Sequence, residues 1–429
     1  MGTEPFSRRA FLSAAGLTGL SVPLLSACGG GASSDPNAKV TLEWWNITTT
    51  DPAKSLWASI AKAYQTAHPN VTIKITTLEN EAYKAKMTAQ TASGKLPDIF
   101  HTWGGGVLKQ QVDAGLVKDL TQDIAPWSGT LSKTALAAYQ LDGKTYGVPF
   151  DIGMVGFWYN KALFDQAGIA EPPATWAEFL EDVRKLKAAG ITPLALAGKE
   201  KWPGHYYWAY LAMRVGGASV FQQATSSNDF SGPAFVEAGR QLKALVDLAP
   251  FQTGFLGAAY DGPGGEAATV GNGKAAMELM GQWAPQVHAS AGEGLGKDTG
   301  FFPFPTVDGG QGAVTDIFGG GGGHALRTDA PPAAVDFLKF FASVDNDRKL
   351  VSTTGLLPVT KGAEDALKDP NLQVISQSLD KATGFQLFLD QAFPPAVGQQ
   401  VNDSTATLIA GKASPEQVTQ QITQTAKDQ

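Results

Sequence analysis

The sequence predicts an α/β protein built as two domains. Three observations carry that expectation. Strand-like and helix-like segments alternate from Val40 to Gly115, and a second such series begins after Val148-Pro149-Phe150-Asp151. The length of 429 residues also exceeds what one hydrophobic core usually serves.

The first series opens on Val40-Thr41-Leu42-Glu43-Trp44-Trp45, which alternates as a strand. Pro52 to Ala67 follows as a helix, with Leu56, Ile60, Ala63 and Tyr64 at helical spacing. Val71-Thr72-Ile73-Lys74-Ile75 is a β-branched strand, and residues 82–93 form a helix stopped by Gly94. Pro97-Asp98-Ile99-Phe100 reads as a short strand, and residues 107–114 as a helix closed by Gly115. Such alternation implies a doubly wound lobe with a mainly parallel sheet. In the second series Met154 to Tyr159 is an apolar strand, and Trp176 to Ala189 an amphipathic helix capped by Thr175. Helices near 206–215 and 233–248 continue it, and Pro331 to Ser343 is a further helix. The last third reads as helical and ends in the polar amphipathic stretch Pro415–Lys427.

Composition narrows the function. The chain is 43% hydrophobic and 17% charged, the balance of a globular protein, and carries a net charge of −7. No basic block occurs, which argues against nucleic acid as a partner. A single cysteine excludes an intrachain disulfide, and five scattered histidines lack metal-ligand spacing, so neither metal nor cofactor is expected.

The N-terminal stretch is the most informative. Arg8-Arg9 precede Phe11-Leu12 and a short, mildly apolar run ending in Leu25-Ser26-Ala27-Cys28. This reads as a signal peptide of the twin-arginine type over residues 1–27. The Leu-Ser-Ala-Cys end resembles a bacterial lipobox, which would place a lipid on Cys28; a buried core thiol is the alternative. Residues 28–37 then form the anchor and a Gly/Ser tether. An exported, cell-surface protein held at the outer face of the cytoplasmic membrane is expected.

Catalytic motifs are missing from the sequence. There is no phosphate-binding loop (Gly143-Lys144-Thr145 lacks its upstream glycine), no His-Glu-x-x-His and no Gly-x-Ser-x-Gly. Forty acidic residues leave a converging glycosidase pair open, though no short motif supports one. The protein is therefore expected not to be an enzyme.

The stronger signal is aromatic. Several of ten tryptophans sit beside Gly, Asn or Asp at the ends of strands or in loops. Ligands of open parallel sheets bind beyond the carboxyl ends of strands. An indole offers a flat surface for the C–H face of a sugar, while carboxylates and amides serve its hydroxyls. Trp45, Trp103, Trp202 and Trp283 are the ligand candidates; Trp44, Trp57, Trp158, Trp176 and Trp208 are assigned to the core. Asp151, after Pro149-Phe150 at the presumed crossing between domains, is the leading polar candidate, with turn capping as its alternative role. His205 is either a ligand contact or a helix-start residue. The unbroken Gly319–Gly323 run carries no basic residue, so it reads as a hinge that approaches the ligand closely, not as a phosphate cradle.

Taken in order, several stretches resemble the sugar-binding proteins of bacterial ABC importers, the maltodextrin-binding-like group. They include Gly94 to Phe100, Ala114 to Thr121, Gly147 to Asp151, Phe157 to Phe164, Pro173 to Phe179, Gly273 to Met277, Gly281-Gln282-Trp283 and Phe302 to Pro305. The resemblance spans about Val40 to Gln421. It implies a two-lobed periplasmic-binding-protein-like fold with hinge crossings. Residues 38–149 with 317–366 would form the N-terminal lobe, and 150–316 with 367–429 the C-terminal lobe. It further implies an oligosaccharide in the interlobe cleft, contacted by Trp45, Asn46, Trp103, Gly104, Asp151, Trp202, His205, Trp283, Gly320, Gly321 and, from a helical C-terminal segment, Asp390. Membrane permease subunits would be partners of a monomeric receptor. Within the group the chain is similar to xylobiose-, cellobiose- and chitobiose-type receptors, which favours a β-linked disaccharide. A polyol or glycerol phosphate receptor and a surface-anchored glycoside-processing enzyme are the rival readings.

Overall fold

The computed structural model describes residues 38–429, of which Lys39–Gln429 form one compact unit. Cys28 and the stretches expected to be an export signal (1–27) and a tether (28–37) lie outside the described residues. Strands β1 (Val40–Asn46), β2 (Val71–Thr77) and β3 (Ile99–Thr102) come first in the chain. They are followed by the hairpin β4 (Gln140–Leu141) and β5 (Lys144–Thr145), then β6 (Val148–Pro149). Next are β7 (Gly153–Met154), β8 (Gly156–Asn160), β9 (Met277–Met280) and β10 (Thr299–Phe302). The last are β11 (Asp316–Gly320), β12 (Gly323–Leu326) and β13 (Gly384–Leu387).

Two sheet systems result. The first lobe holds a five-stranded sheet in the order β2-β1-β3-β12-β6. The second holds two three-stranded sheets, β10-β8-β9 and β13-β11-β7. The expectation of a mainly parallel sheet holds only for β2-β1-β3. β12 runs antiparallel to both β3 and β6, because the chain re-enters this sheet from the other lobe. The β10-β8-β9 sheet is antiparallel throughout. Nor is the last third wholly helical: β13 pairs in parallel with β11.

Local chemistry sets the element ends. Gly94 closes the helix Asn80–Ser93 in the left-handed conformation at φ 69°, which costs a residue without Cβ little. Thr175 and Glu178 form a reciprocal capping box at the start of the helix Trp176–Ala188. The helix Trp202–Gly216 begins at Trp202, earlier than the expected 206. Pro203 lies in its first turn, where the missing N–H has no intrahelical partner to lose.

Each lobe has its own interior. Trp44 stacks on Trp57 at 5.2 Å and 9°, with Phe337 and Phe341 edge-on, to centre the first-lobe core. A satellite core gathers Tyr83, Met87, Phe100 and Tyr139. The larger core of the second lobe includes Trp158, Tyr207, Trp208 and Tyr210. Ile317 and Phe318 also lie in that larger core. Among the described residues no helix is long and apolar enough to cross a membrane.

Candidate functional site

The lobes face each other across a cavity of about 270 Å³, close to the lower end of small-molecule sites. Two chain crossings form its floor. One runs through Phe150 and Asp151, the other through Gly321 and Gly322. Phe150 and Asp151 donate their backbone N–H groups to Gly322 O at 2.9 and 3.3 Å, which ties the crossings together. A Cβ on Gly321 would sit 2.1 Å from Asp151 O, and one on Gly319 2.2 Å from Gly153 O. Backbone-to-backbone approach thus requires Gly319 and Gly321, while Gly320, Gly322 and Gly323 leave room for the Phe388, Phe150 and Tyr139 rings.

The first-lobe wall begins where β3 ends. Trp103 follows Thr102 directly and lines the cavity, its ring 4.4 Å from His101 and edge-on to it. Lys84, on the helix Asn80–Ser93, places its ammonium 5.7 Å from the Trp103 ring centre and 3.0 Å from Asp390 of the second lobe. Burial would raise the Asp390 carboxyl, but the charge and hydrogen bond of Lys84, with His205 and Gln391, together hold it below the ordinary carboxylate range. Burial pushes His101 down to about 3, so its ring is neutral. Neither of its nitrogens has a hydrogen-bond partner among the described residues.

The second-lobe wall is aromatic: Trp202, Tyr206, Tyr260, Trp283 and Phe388 all line the cavity. Tyr206 stacks on Phe388 at 5.5 Å, and Trp202 meets Tyr260 at 5.4 Å. β9 ends at Met280, and Gly281 follows; a Cβ there would lie 2.2 Å from the Trp283 ring, so only glycine leaves room for the indole. Gln282 is buried and donates from Nε2 to Asp151 Oδ2 at 2.5 Å, while Leu357 N–H reaches Oδ1 at 3.3 Å. These bonds do not offset the desolvation of Asp151, whose carboxyl is pushed up to about 7. Burial also raises Glu200, another lining residue, to about 7.

Of the residues expected in the cleft, Trp103, Asp151, Trp202, Trp283, Gly321 and Asp390 line the cavity. The others are placed elsewhere, for identifiable reasons. Asn46 lies in β1 on the same pleat face as Leu42 and Trp44; it is 1% exposed and accepts from Thr48 N at 3.0 Å. Trp45 packs on the satellite core beneath Lys86, whose ammonium sits 4.1 Å from the ring centre. Gly104 has φ 77°, and a Cβ there would collide with Ala138 O, so it serves the turn into the helix Gly105–Asp113. His205 is fully buried against Asn402, its Nδ1 2.7 Å from Oδ1. Gly320 lies under the Phe388 ring. Asp390 belongs to a short helix, Leu389–Ala392, but the preceding Phe385 is in β13 and exposed.

The sequence reading missed Lys84, His101, Glu200, Tyr206, Tyr260 and Phe388, and assigned Trp57 to the core alone. Trp57 both stacks in the core and touches the cavity. Only Tyr206 carried a usable signal, standing one helical turn after Trp202. The rest are brought in by tertiary packing.

A cavity between two lobes joined by chain crossings is the architecture of a ligand receptor that closes around its solute. Residues 46–347 match the bacterial extracellular solute-binding protein family, and the chain belongs to it. It is 26% identical over 369 residues to a multiple sugar-binding protein of Streptococcus mutans, covering 83% of this chain and 84% of the relative. A structure from a study of xylan utilization by the thermophilic bacterium Caldanaerobius polysaccharolyticus is 30% identical. It superposes with a TM-score of 0.82 over 90% of this chain and 99% of its own. A chitin oligosaccharide binding protein is 25% identical, with a TM-score of 0.83 over 91% and 98%. The chain thus has the maltose-binding-like, two-lobed fold.

Proposed function

We propose that this protein is the solute receptor of an ATP-driven importer and captures a short β-linked oligosaccharide, xylobiose first, without transforming it. The observation that carries this reading is the aromatic lining contributed by both lobes. Trp103 stands on the first-lobe side, and Trp202 and Trp283 on the second. Sugar rings stack on such surfaces through their C–H faces. Asp151, Glu200 and Asp390 supply acceptors for hydroxyls. The names of the similar proteins, which concern multiple sugars, xylan and chitin oligosaccharides, point the same way.

The charge of the lining disfavours a glycerol phosphate ester. Lys84 is its one basic residue among those described and is paired with Asp390, while Glu79, Asp151, Glu200 and Asp261 are acidic. A ligand bridging both walls stabilises the closed form, because only there does it touch both. At about −0.3 kcal/mol per heavy atom, a disaccharide of roughly two dozen atoms gains about −7 kcal/mol, or roughly micromolar affinity. The closed receptor would dock on permease subunits as a monomer, tethered by lipid on Cys28. Cys28→Ala should release it from the membrane fraction.

The test is a thermal-shift screen over xylo-, cello-, malto- and chito-oligosaccharides, followed by product analysis. Stabilisation by a β-linked series with no turnover is expected. Hydrolysis of any sugar would sink the receptor reading and favour an anchored glycoside-processing enzyme.

A further inference from the structure

A second cavity of about 140 Å³ lies behind Trp103. Residues of the helices Asn80–Ser93, Gly105–Asp113 and Pro395–Ile409 line it, so both lobes contribute. It shares Lys84, His101, Trp103, Asp390 and Gln391 with the main cavity. The partition between the two therefore includes the Lys84–Asp390 ion pair and the Trp103 ring. Lys84 is a quarter exposed and ends a flexible side chain, so the pair can part without a backbone movement.

The chemistry inside this cavity is unfinished. His101 and Gln111 are each 4% exposed. Both ring nitrogens of His101 and Oε1 of Gln111 lack a hydrogen-bond partner among the described residues. Gln111 Nε2 donates to Thr91 Oγ1 at 3.2 Å, which fixes the amide and leaves its oxygen over. A buried polar group left without a partner costs about 1–3 kcal/mol; a ligand hydroxyl can donate to Gln111 Oε1, and can donate to one nitrogen of the neutral His101 ring or accept from the other. The volume is about half that of the main cavity, the proportion of one ring to the two of a disaccharide.

We propose that the second cavity is a further carbohydrate subsite, which receives one additional sugar ring of an oligosaccharide longer than a disaccharide when Lys84 turns away from Asp390. The proposal rests on the carbohydrate reading above. In it, Trp103 borders both subsites, and the Lys84 ammonium and Asp390 carboxylate exchange their mutual bond for hydroxyls of the chain passing between them. The receptor then selects by length as well as by linkage.

Titration calorimetry on the intact protein tests this with four pairs of probes: xylobiose and xylotriose, cellobiose and cellotriose, maltose and maltotriose, diacetylchitobiose and triacetylchitotriose. In the series that binds, the trisaccharide is expected to bind at least fivefold more tightly than the disaccharide. Thr91→Phe, which fills the cavity, and Gln111→Leu, which removes the free oxygen, should each abolish that increment and leave the disaccharide within twofold. Thermal melts establish that each variant is folded, and either one suffices. A disaccharide that binds with no increment for the trisaccharide overturns the subsite alone, as does an equal loss for both lengths in the variants. Failure of all eight sugars to bind overturns the carbohydrate reading itself.

Discussion

Strand β1 ends with one tryptophan-bearing tripeptide and β9 leads into another, yet only the second reaches the cavity. β1 contains Trp44-Trp45-Asn46 within its paired length, in register with Ile75-Thr76-Thr77 of β2. The pleat therefore dictates direction: Trp44 and Asn46 go inward, and Trp45 goes to the opposite face. β9 ends at Met280, before Gly281-Gln282-Trp283. Freed from the ladder, Gln282 turns to Asp151 and Trp283 turns to the cavity. Trp103 obeys the same rule, since β3 stops at Thr102. A tryptophan beside polar residues is a ligand candidate when it lies beyond the last paired residue, and not when it lies within.

The contrast can be broken most directly at Trp283. Trp283→Ala should weaken sugar binding at least tenfold, about 1.4 kcal/mol, with the fold intact. Calorimetry showing unchanged affinity would remove the indole from the site. Gly281→Ala comes next: its Cβ would occupy the ring's position, so roughly fivefold weaker binding is expected, accompanied by a changed near-ultraviolet dichroism of the tryptophans. Normal affinity with an unaltered spectrum would show that the glycine is dispensable.

Asp151 sharpens the comparison through pH. Its native carboxyl keeps the proton to about pH 7, whereas the unfolded group loses it near the ordinary 3.8. Between those values the native state binds more protons, so this group lowers stability as pH rises. Asp151→Asn should therefore gain on the native protein by on the order of a few kcal/mol from pH 4 to pH 7 and no further above pH 8. Urea unfolding at each pH measures this, and parallel stability curves would contradict the assignment. The smallest effect on binding belongs to Trp45→Ala. It should leave affinity within twofold while destabilising the satellite core by about 1–2 kcal/mol, and a tenfold affinity loss would reverse the reading of β1.

Much of the fold was legible because its signals are local. The helices Asn80–Ser93, Trp176–Ala188 and Pro415–Lys427 have glycine stops or capping boxes that any short window contains. The antiparallel entry of β12 was not legible, since nothing local distinguishes a strand arriving from the same lobe from one arriving from the other. In the site, Trp103, Trp202, Trp283 and Asp151 could be read because each adjoins a strand end, a proline or a crossing. His101 and Lys84 could not. Their roles depend on Trp103 and Asp390, the second of which stands 306 residues from Lys84 in the chain.

By itself the sequence determined the alternating elements, the two-domain plan and an aromatic vocabulary suited to sugars. Periodicity, capping and composition act over a few residues and need no knowledge of neighbours. The tertiary structure alone decided which tryptophans face the cavity, that Gly321 lets two crossings touch, and that Lys84 meets Asp390. Those outcomes depend on where strands stop pairing and on which distant surfaces pack together, quantities set by the whole chain at once.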